Sequence, residues 1–118
     1  MLTHLCNIDY DREVTLVAEV LEETGRRFIG MGALVIDPDF GDGGGGEFSV
    51  LVHDRYQGKG LGYKLIDTLI GVAQDRGLEK FFGLVLSNNR RMIALCRKLG
   101  FTVEHGPEGL SRVELHLK

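Results

Sequence analysis

The stretch Tyr56-Gln57-Gly58-Lys59-Gly60-Leu61-Gly62-Tyr63 constrains this chain most. A β-rich run, Phe48-Ser49-Val50-Leu51-Val52-His53, enters it, and an amphipathic helical pattern from Leu61 to Gln74 leaves it. A glycine-rich turn between a strand and a helix gathers several backbone N–H groups in one concave patch. The helix N-terminus adds partial positive charge, so the patch suits a phosphate or pyrophosphate. Side chains would obstruct that approach, which gives Gly58, Gly60 and Gly62 a reason. Arg55, Lys59 and Lys64 place cations nearby. No register yields Gly-x-x-x-x-Gly-Lys-Ser/Thr. Gly-x-Gly-x-x-Gly also fails, because its last position falls on Tyr63 or Leu65. What remains is Gln-x-x-Gly-x-Gly, with a plain strand-to-helix turn as the alternative reading.

The chain has 118 residues, enough for one domain with one core. Apolar residues at 43% and charged residues at 26% are the profile of a soluble globular protein. A net charge of −3 argues against a general nucleic-acid partner. Cys6 and Cys96 lack metal-ligand or CxxC spacing, which predicts no metal site and a reduced, cytoplasmic setting rather than a disulfide scaffold. No apolar run approaches the roughly 18 residues of a membrane helix, and the N-terminus lacks a signal-peptide pattern.

Taken in order, Met1 to Cys6 reads as the end of a helix and Asn7 to Arg12 as a polar turn. Glu13 to Val20 is a strand, Glu22 to Arg26 a hairpin turn, and Arg27 to Ile36 the antiparallel return. Gly30 and Gly32 interrupt that return strand and mark a bulge or a close backbone approach. Phe40 to Gly46, with four consecutive glycines, reads as a mobile hairpin connection, with a substrate-gating lid as the alternative. Glu47 to His53 is the third strand. The helix after the glycine turn carries Leu61, Leu65, Leu69, Val72 and Ala73 on one stripe and closes at Gly77. Lys80 to Leu86 is a buried strand parallel to the third. A second helix follows, capped by Ser87 or Asn88, with Met92, Leu95, Cys96 and Leu99 inward and Arg90, Arg91, Arg97 and Lys98 solvated. Phe101 to Glu104 and Arg112 to Leu117 are the last strands.

The element order and the Gln-x-x-Gly-x-Gly motif resemble the GNAT N-acetyltransferase superfamily from its second strand onward. A second stretch, from Asn89 through Ala94 to Gly100-Phe101, resembles that family's Asn-x-x-Ala-x-x-x-Tyr-x-x-x-Gly-Phe ending, with the asparagine and the Gly-Phe pair in matching positions. The runs 8–13, 47–52 and 92–101 are similar to the GNAT domain of bacterial Pat-type protein-lysine acetyltransferases. The resemblance implies an α/β (α+β) fold, with a mixed, mostly antiparallel sheet, splayed central parallel strands and two main helices. It reads residues 1–118 as a single GNAT domain, shortened at its N-terminal strand–helix–helix element. A missing layer there would leave apolar surface and favour a homodimer. Pat-type domains are often fused to an acyl-CoA-synthetase-like region, which this chain does not contain.

The resemblance further implies acetyl-CoA as co-substrate and an amine acceptor, either a small molecule or a protein lysine. Val50, Leu51 and Val52 would pair with the pantetheine arm, and a main-chain N–H there would polarise the thioester carbonyl. The loop Gln57, Gly58, Lys59, Gly60, Leu61 and Gly62 would hold the pyrophosphate. Asn89 would bond the pantetheine amides or a phosphate, with helix capping as its alternative role. Glu47 matches the glutamate that acts as general base, needed because an amine such as lysine has a pKa of ~10.4 in water. Cys96 stands where many members carry the tyrosine that protonates the departing thiolate. A thiol there is a short donor, and core packing is its alternative. Solvent, Tyr63 and Tyr56 are the other proton sources. A different class of reading is a non-catalytic acyl-CoA-binding regulatory module.

Overall fold

The computed structural model describes residues 3–58 and 60–118. Seven strands form one sheet: β1 (Thr3–Asp9), β2 (Glu13–Glu22), β3 (Gly25–Asp37), β4 (Gly45–Val52), β5 (Lys80–Leu86), β6 (Thr102–His105) and β7 (Leu110–His116). Their spatial order is β1-β2-β3-β4-β5-β7-β6. The β4–β5 pair is parallel and the other five pairs are antiparallel. Two helices complete the fold, α1 (Leu61–Asp75) and α2 (Arg90–Lys98). Among the described residues no helix is long and apolar enough to cross a membrane.

Period-two alternation decides which face of the sheet is covered. On β2, Val14, Leu16, Ala18 and Val20 are buried, and the register places Leu34, Phe48, Phe81 and Val113 on the same face. That inner face receives both helices. Leu61, Leu65, Ile66, Leu69 and Ala73 of α1 are buried against it, as are Ile93 and Cys96 of α2. Truncating Leu65 or Leu69 to alanine would cost about 2–5 kcal/mol, because both are fully buried. Val72, expected on the α1 stripe, is only half-buried, and Ile66 takes its place in the core. The outer face carries no helix among the described residues, and Val35, Leu51, Leu84 and Leu86 are exposed on it.

Close approach of α1 explains the glycines of β3. A Cβ on Gly32 would stand 3.1 Å from Leu69 Cδ1, so the helix lies directly on the strand backbone there. The register shift expected near these glycines is also present, at Ala18–Glu19 of β2 opposite Ile29.

Two sequence expectations are corrected. Residues 3–9 are a strand, not the end of a helix, because pairing with β2 from Thr3↔Val20 to Asp9↔Val14 supplies the ladder that local pattern did not signal. The connection into β2 is held to the end of α1 by Arg76, which donates to the carbonyls of Asp11 (2.8 Å) and Tyr10 (3.3 Å). Gly45 and Gly46 belong to β4 rather than to a loop, paired with Asp37 and Ile36. Their missing side chains are filled by neighbours: a Cβ on Gly45 would stand 2.7 Å from the Phe40 ring, and one on Gly46 would stand 2.6 Å from Leu34 Cδ1. The turn before them is closed by Gly44 N–H to the Phe40 carbonyl at 2.9 Å.

Three rings fasten the middle of the sheet from within. Phe48 and Phe81 stack at 4.8 Å, and Phe101 meets both edge-on at 5.7 and 5.8 Å. Gly100, at φ +96°, ends α2 and turns the chain so that Phe101 reaches them.

Candidate active site

The parallel ladder between β4 and β5 is short. It runs Gly45↔Lys80, Gly46↔Phe81, Glu47↔Phe82 and then stops. Both strands continue, β4 to Val52 and β5 to Leu86, but no longer pair with each other. Past Glu47, β4 is therefore paired only on its β3 side. Its other edge offers main-chain donors and acceptors to whatever enters the gap.

A cavity of about 480 Å³ opens at this end of β4. Its walls are Val50, Leu51 and Val52, then Gln57, Gly58, Gly60, Gly62 and Tyr63, and finally Asn89, Arg91, Met92 and Leu95. The volume is that of a small-molecule site, with an apolar floor and a few convergent polar groups.

Two helix N-termini meet at this wall. Gly60 is the N-cap of α1 at φ +84°, and no side chain caps the helix. The first-turn amides of α1 thus have no intrahelical acceptor and stand beside the cavity. At α2, Asn89 is the N-cap, and its side-chain oxygen accepts from Met92 N–H at 3.2 Å. The capping role foreseen for Asn89 is thus occupied by one oxygen, while the residue also lines the cavity. Both helix dipoles place their positive ends at one spot, which favours an anion. Gln57 braces the turn: its side-chain amide donates to the Val52 carbonyl and to Asp54 Oδ1, each at 3.2 Å.

Arg91 is the residue that sequence reading missed. It is exposed, as expected of the solvated face of α2, and its Nη1 also lies 3.1 Å from where a Cβ on Gly58 would stand. The guanidinium reaches from α2 back to the glycine turn, where Gly58, at φ +77°, presents no side chain to it. One signal existed in the sequence. A cation in the first turn of a helix opposes the dipole, so Arg90 and Arg91 sit where propensity alone would not put them. Tyr63, Met92 and Leu95 were likewise not foreseen as cavity walls.

The remaining predicted residues fall in different places. Leu61 is buried under α1 and does not line the cavity. Lys59 lies outside the described residues. Glu47 is exposed on the outer face at the last rung of the ladder, where the strands part. Its carboxylate has no hydrogen-bond or ion-pair partner among the described residues. Cys96 is fully buried, away from the cavity wall, and burial pushes its thiol up to about 11. Of the two tyrosines considered as proton donors, Tyr63 is on the wall, and Tyr56 is not among the residues that form it.

The GNAT acetyltransferase family model matches residues 2–101, and the chain belongs to that family. An acetyltransferase of Pseudomonas aeruginosa is 32% identical over 113 residues, covering 96% of this chain and 59% of that protein. Among solved structures, the GNAT domain of S. lividans PAT superposes with a TM-score of 0.73 at 28% identity, over 92% of this chain and 64% of that one. YncA of Salmonella typhimurium, solved with its cofactor acetyl-CoA, superposes with a TM-score of 0.69 at 31% identity, over 90% of this chain and 65% of that one. The chain thus spans about three fifths of the length of these three relatives.

Proposed function

We propose that this domain transfers an acetyl group from acetyl-CoA to a primary amine. The observation that carries the proposal is the coincidence of three things at one place. The β4–β5 ladder ends at Glu47. The cavity begins just beyond it, and two helix N-termini and Arg91 stand at the cavity's far wall. The residues present fit a coenzyme A group. A pyrophosphate needs clustered amides and positive charge without intervening side chains, and Gly58 and Gly60, both at positive φ, leave that space. Bound acetyl-CoA would supply an activated thioester.

In this reading the first-turn amides of α1, the turn at Gly58 and Gly60, and the Arg91 guanidinium hold the pyrophosphate. Lys59 and Leu61 belong to the same loop. The free edge of β4 at Val50, Leu51 and Val52 aligns the pantetheine arm, with Asn89 opposite. Glu47 takes the first proton from the acceptor ammonium. The amine nitrogen then bonds to the acetyl carbon as the C–S bond breaks. The nitrogen's second proton is released, and the thiolate takes up one proton. The thiolate's proton comes from Tyr63 or water. Cys96, with its thiol pushed up to about 11 in the core, serves packing in this scheme.

The acceptor is either a small amine or a protein lysine. The likeness to S. lividans PAT supports the Pat-type reading at the level of the domain. The buried Cys96 in place of a tyrosine favours one second reading, an acyl-CoA-binding module without turnover. A single experiment separates the two: thiol release from acetyl-CoA in the presence of an amine, with calorimetric binding of acetyl-CoA measured alongside. Binding without thiol release from any amine would refute transfer and leave the regulatory module.

A further inference from the structure

One polar side chain interrupts the inner face of the sheet. Among the described residues, Ser111 is the one polar residue that is buried, at 0% exposure. Alternation on β7 places it on the face of Val113, where a hydrocarbon would ordinarily pack. A hydroxyl taken out of water costs stability unless it is bonded. Ser111 is bonded twice: its Oγ lies 2.6 Å from Ser87 Oγ and 2.7 Å from His105 Nδ1. A hydroxyl carries one proton, so Ser111 donates to one of these neighbours and accepts from the other. The three residues come from three segments. His105 ends β6 and is exposed, Ser111 stands near the start of β7, and the half-buried Ser87 directly follows β5. A main-chain bond runs alongside, from Ser87 N–H to the Gly109 carbonyl at 2.7 Å. That carbonyl belongs to the turn 106–109, where Glu108 holds a left-handed backbone at φ +62°. Such backbone is strained for a residue with a Cβ and persists where its surroundings hold it.

Ser87 opens the connection from β5 to α2, and that connection carries one wall of the cavity. Asn89, two residues on, donates its N–H to the Leu86 carbonyl at 2.9 Å and accepts from Met92 N–H at 3.2 Å. Asn89 and Arg91 both line the cavity. Resting on the transferase reading above, we propose that His105 is a positioning residue for coenzyme binding: through Ser111 and Ser87 it fixes the β5–α2 connection, and with it the places of Asn89 and Arg91 at the cavity. The need for such a brace follows from the splay. Past Phe82, β5 has no ladder to β4, so its end is held from the β7 side alone. The β7 ladder itself stops at Leu86↔Leu110, and Ser87 is the first residue beyond it. The serine pair and the Gly109 carbonyl extend that hold by one residue, to the threshold of α2. A group that receives a ligand in a gap between strands keeps its place only through support of this kind from behind.

The test follows the wild type, His105→Ala and His105→Asn by two readouts: calorimetric affinity for acetyl-CoA, and hydrogen exchange of Met92 N–H in the ligand-free protein. His105 is exposed, so its replacement leaves the core intact. Asparagine offers an amide in place of Nδ1 and conserves the bond to Ser111. Met92 N–H is the donor to the Asn89 cap and reports on the connection without any coenzyme. In His105→Ala the affinity is expected to fall about three- to tenfold, the worth of one hydrogen bond, and Met92 N–H to exchange faster. His105→Asn restores both. Where an amine is turned over, the loss appears in KM for acetyl-CoA, with kcat and the acceptor's KM within about twofold of the wild type. Unchanged affinity and exchange in His105→Ala would overturn the proposal, as would a His105→Asn variant no better than His105→Ala. Should the wild type bind no acetyl-CoA, the transferase reading falls by itself. Met92 exchange then decides on the brace alone: acceleration in His105→Ala that His105→Asn reverses supports it, and an unmoved rate refutes it.

Discussion

Glu47 and Phe82 form the last rung of the parallel ladder between β4 and β5. Everything beyond that pair on the two strands is free of mutual pairing, so a carboxylate stands at the apex of an opening in an otherwise continuous sheet. An exposed carboxylate at that point is placed to accept a proton from an amine approaching across the outer face. Replacing Glu47 by glutamine keeps the shape and removes the proposed base. Turnover at neutral pH should fall about 10²–10⁴-fold, the range for a general base, while acetyl-CoA affinity stays within about twofold. Thiol-release kinetics with a parallel binding titration check both. Unchanged turnover would remove Glu47 from the chemistry.

Gly60 sits at φ +84° with no atom within 4 Å of a would-be Cβ. Gly60→Ala therefore meets no clash but pays left-handed strain of roughly 1–2 kcal/mol, visible as a lowered midpoint in urea. Gly60→Glu adds a carboxylate at the α1 N-terminus and should weaken acetyl-CoA binding by more than about tenfold. Equal affinities for wild type and Gly60→Glu in calorimetry would show that this turn holds no phosphate.

In the proposed scheme the Arg91 guanidinium, which lies against the glycine turn at Gly58, makes a charge-assisted contact with the pyrophosphate. Arg91→Ala should weaken acetyl-CoA binding by about tenfold, on the order of 1.5 kcal/mol, with a reduced dependence on salt. Acetyl-pantetheine carries no pyrophosphate, so its affinity should not respond to the same change. A parallel loss for both ligands would mean that Arg91 shapes the cavity rather than binding the anion.

Burial disfavours the Cys96 thiolate and pushes the thiol up to about 11, from an ordinary value of 9.0. Between those values the unfolded chain has already lost the proton that the folded chain retains. Stability should accordingly fall as pH rises from about 9 toward 11, and Cys96→Ala should lessen that slope. A thiol reagent should modify the half-buried Cys6 at once and Cys96 only on unfolding. Rapid modification of both in the folded protein would contradict the burial.

Much of the fold was written in local pattern. The apolar stripe of α1, the closing Gly77 at φ +72°, the alternation of β2 and β7, and the Gly100–Phe101 ending all follow from period and from glycine conformation. These are properties of neighbours in the chain, which a sequence displays directly. β1 was misread because Thr3 to Asp9 has no strong alternation of its own and owes its strand form to β2. Gly45 and Gly46 differ from their loop reading because a glycine packed under a neighbouring side chain, Phe40 over Gly45 and Leu34 over Gly46, is spelled the same way as a glycine in a loop.

Read alone, the chain specified a strand, a glycine turn and a helix suited to a phosphate, and the order of elements around it. Tertiary structure settled which distant groups share that site. It brought Arg91 from the second helix against Gly58, drew Cys96 into the core and ended the ladder at Glu47. Period and turn chemistry act over a few residues, whereas these meetings join residues tens of positions apart. They depend on strand order and on which ring or helix fills the space beside a glycine, and both are fixed only when the sheet closes around its core.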